Sequence, residues 1–230
     1  MELLFTTLDD TTSQQTVDGY IGATVGIFRF TPAESRWAFQ LDFFGLVGSR
    51  FSKYDYLIAS DYRAGLPITW ACGPWHGKFG YEHTSTHLGD ELMLLTGRQR
   101  IPSVRDELVL GLGRWFWNQL RVYGEFGYAF FFDSVVRDAD PVRFAVGAEW
   151  RTREATGLLG KPFGAVHIAF PGDQHYSANL TVQAGWMWRQ PGQRLANLRI
   201  FGEYYTGRAP FGQIFQETNQ FFGLGVAIDY

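Results

Sequence analysis

Alternation with a period of two residues constrains this chain more than any other feature. From His175 to Gln190 one phase reads Tyr176, Ala178, Leu180, Val182, Ala184, Trp186 and Trp188, and the other His175, Ser177, Asn179, Thr181, Gln183 and Gly185. The last twelve residues repeat the pattern, with Phe222, Leu224, Val226, Ile228 and Tyr230 set against Asn219, Gly223, Gly225 and Asp229. Successive side chains of a strand point to opposite faces, so each such segment is a strand with one apolar and one polar or glycine face.

The same reading predicts strands at Glu2–Leu8, Ile21–Ile27, Trp37–Val47, Ile58–Trp70, Trp75–His87, Leu108–Phe116, Leu120–Phe132, Val142–Trp150, Phe163–Phe170 and Leu198–Tyr204. That makes about twelve strands, which fill residues 1–230 as one domain and leave nothing for a second. Their connections alternate in length. Thr31–Ser35, Gly73-Pro74, Asn118-Gln119 and Pro191–Gln193 are compact turns, whereas Asp9–Val17, Gly48–Asp55, Leu88–Pro102, Asp133–Pro141, Pro171–Gln174 and Gly207–Thr218 are longer and more polar. Short turns on one rim and long loops on the other fit a bacterial outer-membrane barrel, with the turns in the periplasm. Met1-Glu2-Leu3-Leu4 lacks the basic segment and small-residue cleavage site of a secretory signal, so the sequence reads as a mature or trimmed form, or as one that is not exported.

Composition separates the membrane barrel from a soluble one. No run approaches the roughly 18 apolar residues of a membrane helix. The chain nevertheless carries 21 Phe, 11 Tyr, 8 Trp and 27 Gly, with only 19% charged residues. The strand reading puts all eight tryptophans, Trp37, Trp70, Trp75, Trp115, Trp117, Trp150, Trp186 and Trp188, at the short-turn rim. Indoles collect at a bilayer interface, which satisfies an apolar body and a polar tip together. Tyr20, Tyr56, Tyr176, Tyr204 and Tyr205 fall at the opposite rim. A soluble barrel, apolar inside and typically about eight-stranded, does not call for such a girdle. A net charge of −3 without a basic patch gives no footprint for nucleic acid. With Cys72 as its one cysteine, the chain has no internal disulfide.

The expected fold is therefore an all-β, antiparallel transmembrane barrel. Its lumen side carries Asp42, Asp61, Arg63, Lys78, Glu82, Glu107, Arg121, Glu125, Arg143, Glu149, Arg151, Arg199 and Glu203. Charges of both signs predict ion pairs and a largely filled lumen, since each desolvated ion needs a partner. Glu107 is expected near Lys78 or Arg121, and Glu203 near Arg199. Glycines 22, 26, 111, 113, 127, 147 and 223 share that face, and Pro67 predicts a bulge.

One strand breaks the apolar rule on its lipid side. Between Trp75 and His87 the outward phase runs Trp75, Gly77, Phe79 and Tyr81, then His83, Ser85 and His87, and the next strand offers Asp106 at the same height. A serine, a histidine and a carboxylate are the parts of a nucleophile, base and orienter set. At the extracellular end of a strand, His and Ser more often serve as interfacial residues bonded to headgroups. Alternate positions on one strand also allow a metal reading, zinc or calcium held by His83, Ser85 and His87 with Asp90 and Glu91 if the loop folds back.

His83-Thr84-Ser85, on a strand rising to a long loop, resembles the His-x-Ser element of outer-membrane phospholipase A and of the barrel lipid A deacylases. That resemblance implies Ser85 as nucleophile, His83 as base and Asp106, or Glu107, as orienter, with outer-membrane lipids as partners and self-association as a homodimer left open. Thr86-His87 departs from the Asn-Gly that usually follows the phospholipase serine. From Asp61–Pro67 through Tyr81–Glu91 to Arg105–Glu107 the chain more closely resembles an uncharacterised bacterial family, domain of unknown function 1207, whose name implies no activity. Three functions stay open: a lipid acyl hydrolase; a narrow channel or substrate-specific porin; and a structural or binding barrel whose Arg98, Arg100 and Arg105 contact lipopolysaccharide phosphates.

Overall fold

The computed structural model of the protein describes residues 1–8, 15–53, 56–189 and 197–229. These residues form a closed barrel of antiparallel strands, β1 (Glu2–Leu8), β2 (Gln15–Phe30), β3 (Trp37–Ser52), β4 (Leu57–Cys72), β5 (Trp75–Leu88), β6 (Val104–Phe116), β7 (Leu120–Asp133), β8 (Val142–Arg151), β9 (Lys161–Pro171), β10 (Asn179–Arg189), β11 (Asn197–Arg208) and β12 (Thr218–Asp229). Each strand pairs with its sequence neighbours, and β1 closes the ring on β12 from Glu2↔Ala227 to Leu8↔Phe221. A short helix, α1 (Asp90–Thr96), sits in the connection between β5 and β6.

The outer surface is the apolar phase. On β12, Phe222, Leu224 and Val226 are exposed while Phe221 and Ala227 are buried. The same alternation exposes Leu108, Leu110 and Leu112 on β6 and buries Val109. Such a surface is stable only against lipid, so the fold is that of an outer-membrane barrel. At the turn rim the chain reverses tightly. Gly73, at φ +57, precedes Pro74 between β4 and β5, and Trp117 and Asn118, at φ 50 and 56, turn the chain between β6 and β7. Positive φ in tight hairpins matches the right-handed twist of the flanking strands.

The strands differ from the expected ones in extent. β2 starts at Gln15 and β3 runs on to Ser52, because Asp18 and Arg50, which look like loop residues, point into the lumen and bind each other. β10 starts at Asn179; His175 and Tyr176 lie in a turn with positive φ. Pro67 causes no register shift and pairs regularly with Gly80. Shifts fall instead at Gly26/Phe28, Arg50/Phe51 and Asp106/Glu107. The turn expected at Pro191–Gln193 and most of the loop expected at Asp9–Val17 lie outside the described residues.

Two devices occupy much of the lumen. In mid-barrel a chain of ions runs Arg63, Glu82, Lys78, Glu125, Arg143, Glu107, Arg105, with closest contacts of 2.6–2.8 Å. Glu107 thus binds Arg143 and Arg105, not Lys78 or Arg121. Arg143 reaches it across Gly127, where an added Cβ would lie 2.8 Å from both side chains. Arg121 binds Glu149 at 2.9 Å and Arg199 binds Asp229 at 2.7 Å. Glu203 accepts from Gln183 at 2.6 Å; Arg199, four residues along the same strand, stands about 13 Å away at strand rise.

Near the loop rim, residues 209–217 between β11 and β12 fold inward. Ala209, Phe211, Ile214 and Phe215 are buried there. The Gly212 amide donates to the Asp61 carboxylate at 3.0 Å, and Gln213 donates to the Thr86 and Ile101 carbonyls at 3.2 and 2.8 Å. Phe211 stacks on Tyr20, which points inward like Tyr205. Exposed tyrosines are Tyr62, Tyr81, Tyr128 and Tyr176, and Tyr204 packs on lipid-facing Phe222. Phe201, Phe211 and Phe221 likewise face the interior, so phenylalanine serves both faces.

Candidate functional site

The register of β5 on β6 makes His83 and Asp106 direct cross-strand partners. Both occupy the lipid-facing phase, and His83 Nδ1 lies 2.7 Å from Asp106 Oδ1. A carboxylate only accepts, so Nδ1 is the donor in this contact and Nε2 is the ring nitrogen that Asp106 leaves unengaged. The Tyr81 hydroxyl donates to the same Oδ1 at 2.5 Å. Sequence reasoning set Tyr81 in the outward apolar phase of its strand and missed this role; its position two residues before His83 on the same face was the available signal.

A bulge completes the arrangement. Between Asp106 and Glu107 the register of β6 on β7 shifts by one residue, so Phe130 and Phe131 are both exposed at 57% and 56%. Bulges re-aim side chains beside functional positions. Here the bulge presents two phenyl rings to lipid next to a hydrogen-bonded carboxylate, and Phe130 packs 6.2 Å from Tyr81.

Height along the barrel fixes the medium. His83 lies eight residues above Trp75 on β5, a climb of about 21 Å for a strand tilted by about 40°. The apolar band of such barrels is about 25 Å tall. The pair therefore sits just inside the outer interface, where lipid ester groups lie.

The other expected residues divide. Ser85 shares the lipid-facing phase with His83, paired with Tyr62 and Val104. Among the described residues, no hydrogen bond joins it to His83 or His87. Alternate residues of a strand are about 6.6 Å apart at Cα, so closing a Ser85–His83 link requires both side chains to lean together. His87 packs edge-on against Tyr62 with 5.4 Å between centroids and stands apart from the pair. Glu107 points into the lumen, because one step along a strand reverses the face, and it is not an orienter for His83. Asp90 and Glu91 lie exposed in the first turn of α1. No group of three or more His, Cys, Asp or Glu side chains among the described residues is placed to hold a metal ion. Arg98 binds Glu217 at 2.6 Å in an exposed pair, Arg105 binds Glu107 at 2.8 Å inside the lumen, and Arg100 is exposed.

Solved structures with this architecture include outer membrane phospholipase A from Escherichia coli, at TM-score 0.71 and 10% identity over 100% of this chain and 89% of that one. The Salmonella typhi outer membrane phospholipase dimer with bound calcium matches at 0.68 and 13%, again over 100% and 89%. The KdgM porin matches at 0.54 and 7%, over 98% and 97%. Identities this low establish a shared fold. No curated protein matches the chain in sequence. The family described as "Protein of unknown function (DUF1207)" matches residues 9–230, and this outer-membrane-type barrel belongs to that family.

Proposed function

We propose that the barrel is a lipid acyl hydrolase with Ser85 as nucleophile, His83 as general base and Asp106 as the group that orients His83. The observation that carries the reading is the 2.7 Å contact between His83 Nδ1 and Asp106 on the lipid-facing surface. That contact supplies the base–orienter half of a triad. In the reaction Ser85 Oγ attacks the ester carbonyl carbon as His83 Nε2 takes its proton. The imidazolium, steadied by Asp106, then protonates the departing alcohol and leaves an acyl group on Ser85. Water, activated by the same nitrogen, attacks the acyl carbon, releases the fatty acid and returns the proton to Ser85. The open Ser85–His83 link is of the kind that tightens on substrate binding. Likeness in fold to two phospholipases supports the reading without deciding it.

The test is fatty-acid release from phospholipid or lipid A in detergent by the purified barrel. Turnover by the native protein that vanishes in a folded Ser85→Ala variant is expected; equal rates for the two would sink the proposal.

Likeness to a porin raises the channel reading. The ion chain and the inward loop weigh against it, since both stand across the lumen. Planar-bilayer recordings of the native barrel are expected to show no discrete steps. Reproducible unitary currents would favour the channel.

A further inference from the structure

An apolar groove of about 520 Å³ crosses the lipid-facing side of β2 to β5 and includes His83 in its wall. Register creates it. Ala23 pairs with Gly45, Gly45 with Ala64, Ala64 with His83, and His83 with Asp106, so three small residues and the histidine occupy one cross-strand row. Two residues towards the loop rim the row is Ile21, Val47, Tyr62 and Ser85. Two residues towards the turn rim, Val25 pairs with Phe43 and Leu66 with Tyr81. A low floor thus runs between two raised walls. One wall ends in Ser85 and the floor ends in His83.

We infer that this groove holds one acyl chain of the lipid whose ester is presented to Ser85, and that Gly45 and Ala64 set the chain length accepted. The inference rests on the hydrolase reading and specifies its substrate. The occupant follows from three features. The groove opens onto the lipid-facing surface, its walls are aliphatic and aromatic, and it is continuous with the His83–Asp106 pair. From His83 to Ala23 it spans three strand spacings, about 14 Å, the reach of an extended medium-length to long acyl chain and far more than a short one needs. A chain laid along the floor from β2 to β5 brings its carbonyl end between Ser85 and His83. The headgroup then lies towards the loop rim, in water.

Gly45 makes the inference testable, because a Cβ built there meets nothing within 4 Å. A larger side chain at this position fills the groove without displacing the barrel. Gly45→Leu is expected to lower turnover of dipalmitoyl phosphatidylcholine in mixed micelles by about tenfold or more, leaving dihexanoyl phosphatidylcholine within about twofold of the native rate. Ala64→Leu, nearer the ester, is expected to lower both. Equal loss on both lipids in Gly45→Leu, or no loss on either, overturns the groove as the chain site.

A second measurement does not depend on turnover. A phosphatidylcholine with a photoreactive diazirine at the end of one acyl chain, irradiated with the Ser85→Ala barrel, is expected to label β2 and β3 around Ala23 and Gly45. Gly45→Leu in that background should abolish the label. Label spread evenly around the barrel refutes the groove even if hydrolysis is found. Localised label without hydrolysis by the native protein keeps the groove as a lipid site and removes the hydrolase reading.

Discussion

Ser85→Ala and His83→Ala are each expected to lower kcat for fatty-acid release by about 10⁴-fold or more, and the double substitution by scarcely more than either alone. Nucleophile and base act as a unit, so removing one already forfeits proton transfer in the transition state. Asp106→Ala is expected to cost one to two powers of ten less, because His83 keeps its place on the strand and loses only the partner that fixes its ring. KM should change little in all three, since most of the acyl chain lies against Ala23, Gly45 and Ala64 and these groups meet only its carbonyl end. The measurement is a kcat and KM series on one phospholipid, with heat-modifiable gel mobility as the check on folding. Additive losses in the double variant would mean that Ser85 and His83 work separately, as headgroup contacts do.

Asp18→Ala is expected to destabilise the barrel by about 3–5 kcal/mol. Arg50 is only 1% exposed and holds Asp18 through two contacts of 2.7 Å, with a third bond to Asn219 at 2.9 Å. Its guanidinium lies over Phe211 and Phe221, so no water replaces a lost carboxylate. Removing Asp18 leaves a desolvated charge with one neutral acceptor. Asn219→Ala, which removes only that acceptor, should cost about 1.5–3 kcal/mol. Replacing both ions, as in Asp18→Ala/Arg50→Met, should restore much of the loss. Urea unfolding in detergent micelles reads all three, and a double variant no better than Asp18→Ala would show that the pair contributes more than mutual neutralisation.

The barrel, the faces of its strands and the pairing of His83 with Asp106 were legible in the sequence because a two-residue period determines both face and height. Strand ends were legible only where polarity changes with exposure. Asp18 and Arg50 extend β2 and β3 because they bind each other, and two polar residues more than thirty positions apart announce no such partnership. Partner choice in the lumen was hidden for a related reason. Arg143 reaches Glu107 through the space that Gly127 leaves, a matter of reach across strands. The inward loop was missed because Phe211, Ile214 and Phe215 follow no period. The groove was missed because Ala23, Gly45 and Ala64 are unremarkable on their own strands and become a row only in register.

The three-way contact among Asp18 on β2, Arg50 on β3 and Asn219 on β12 also bears on how the barrel comes to exist in a membrane. Asn219 comes from the final hairpin, whose connecting loop is the segment folded inward, and β12 is the strand that closes on β1. Without that hairpin Arg50 lacks one acceptor and both aromatic rings that flank it. Closing the ring on β1 and covering Arg50 are therefore tasks of the same hairpin. A sheet of β1 to β10 alone would be open at both edges and would leave the Asp18–Arg50 pair uncovered.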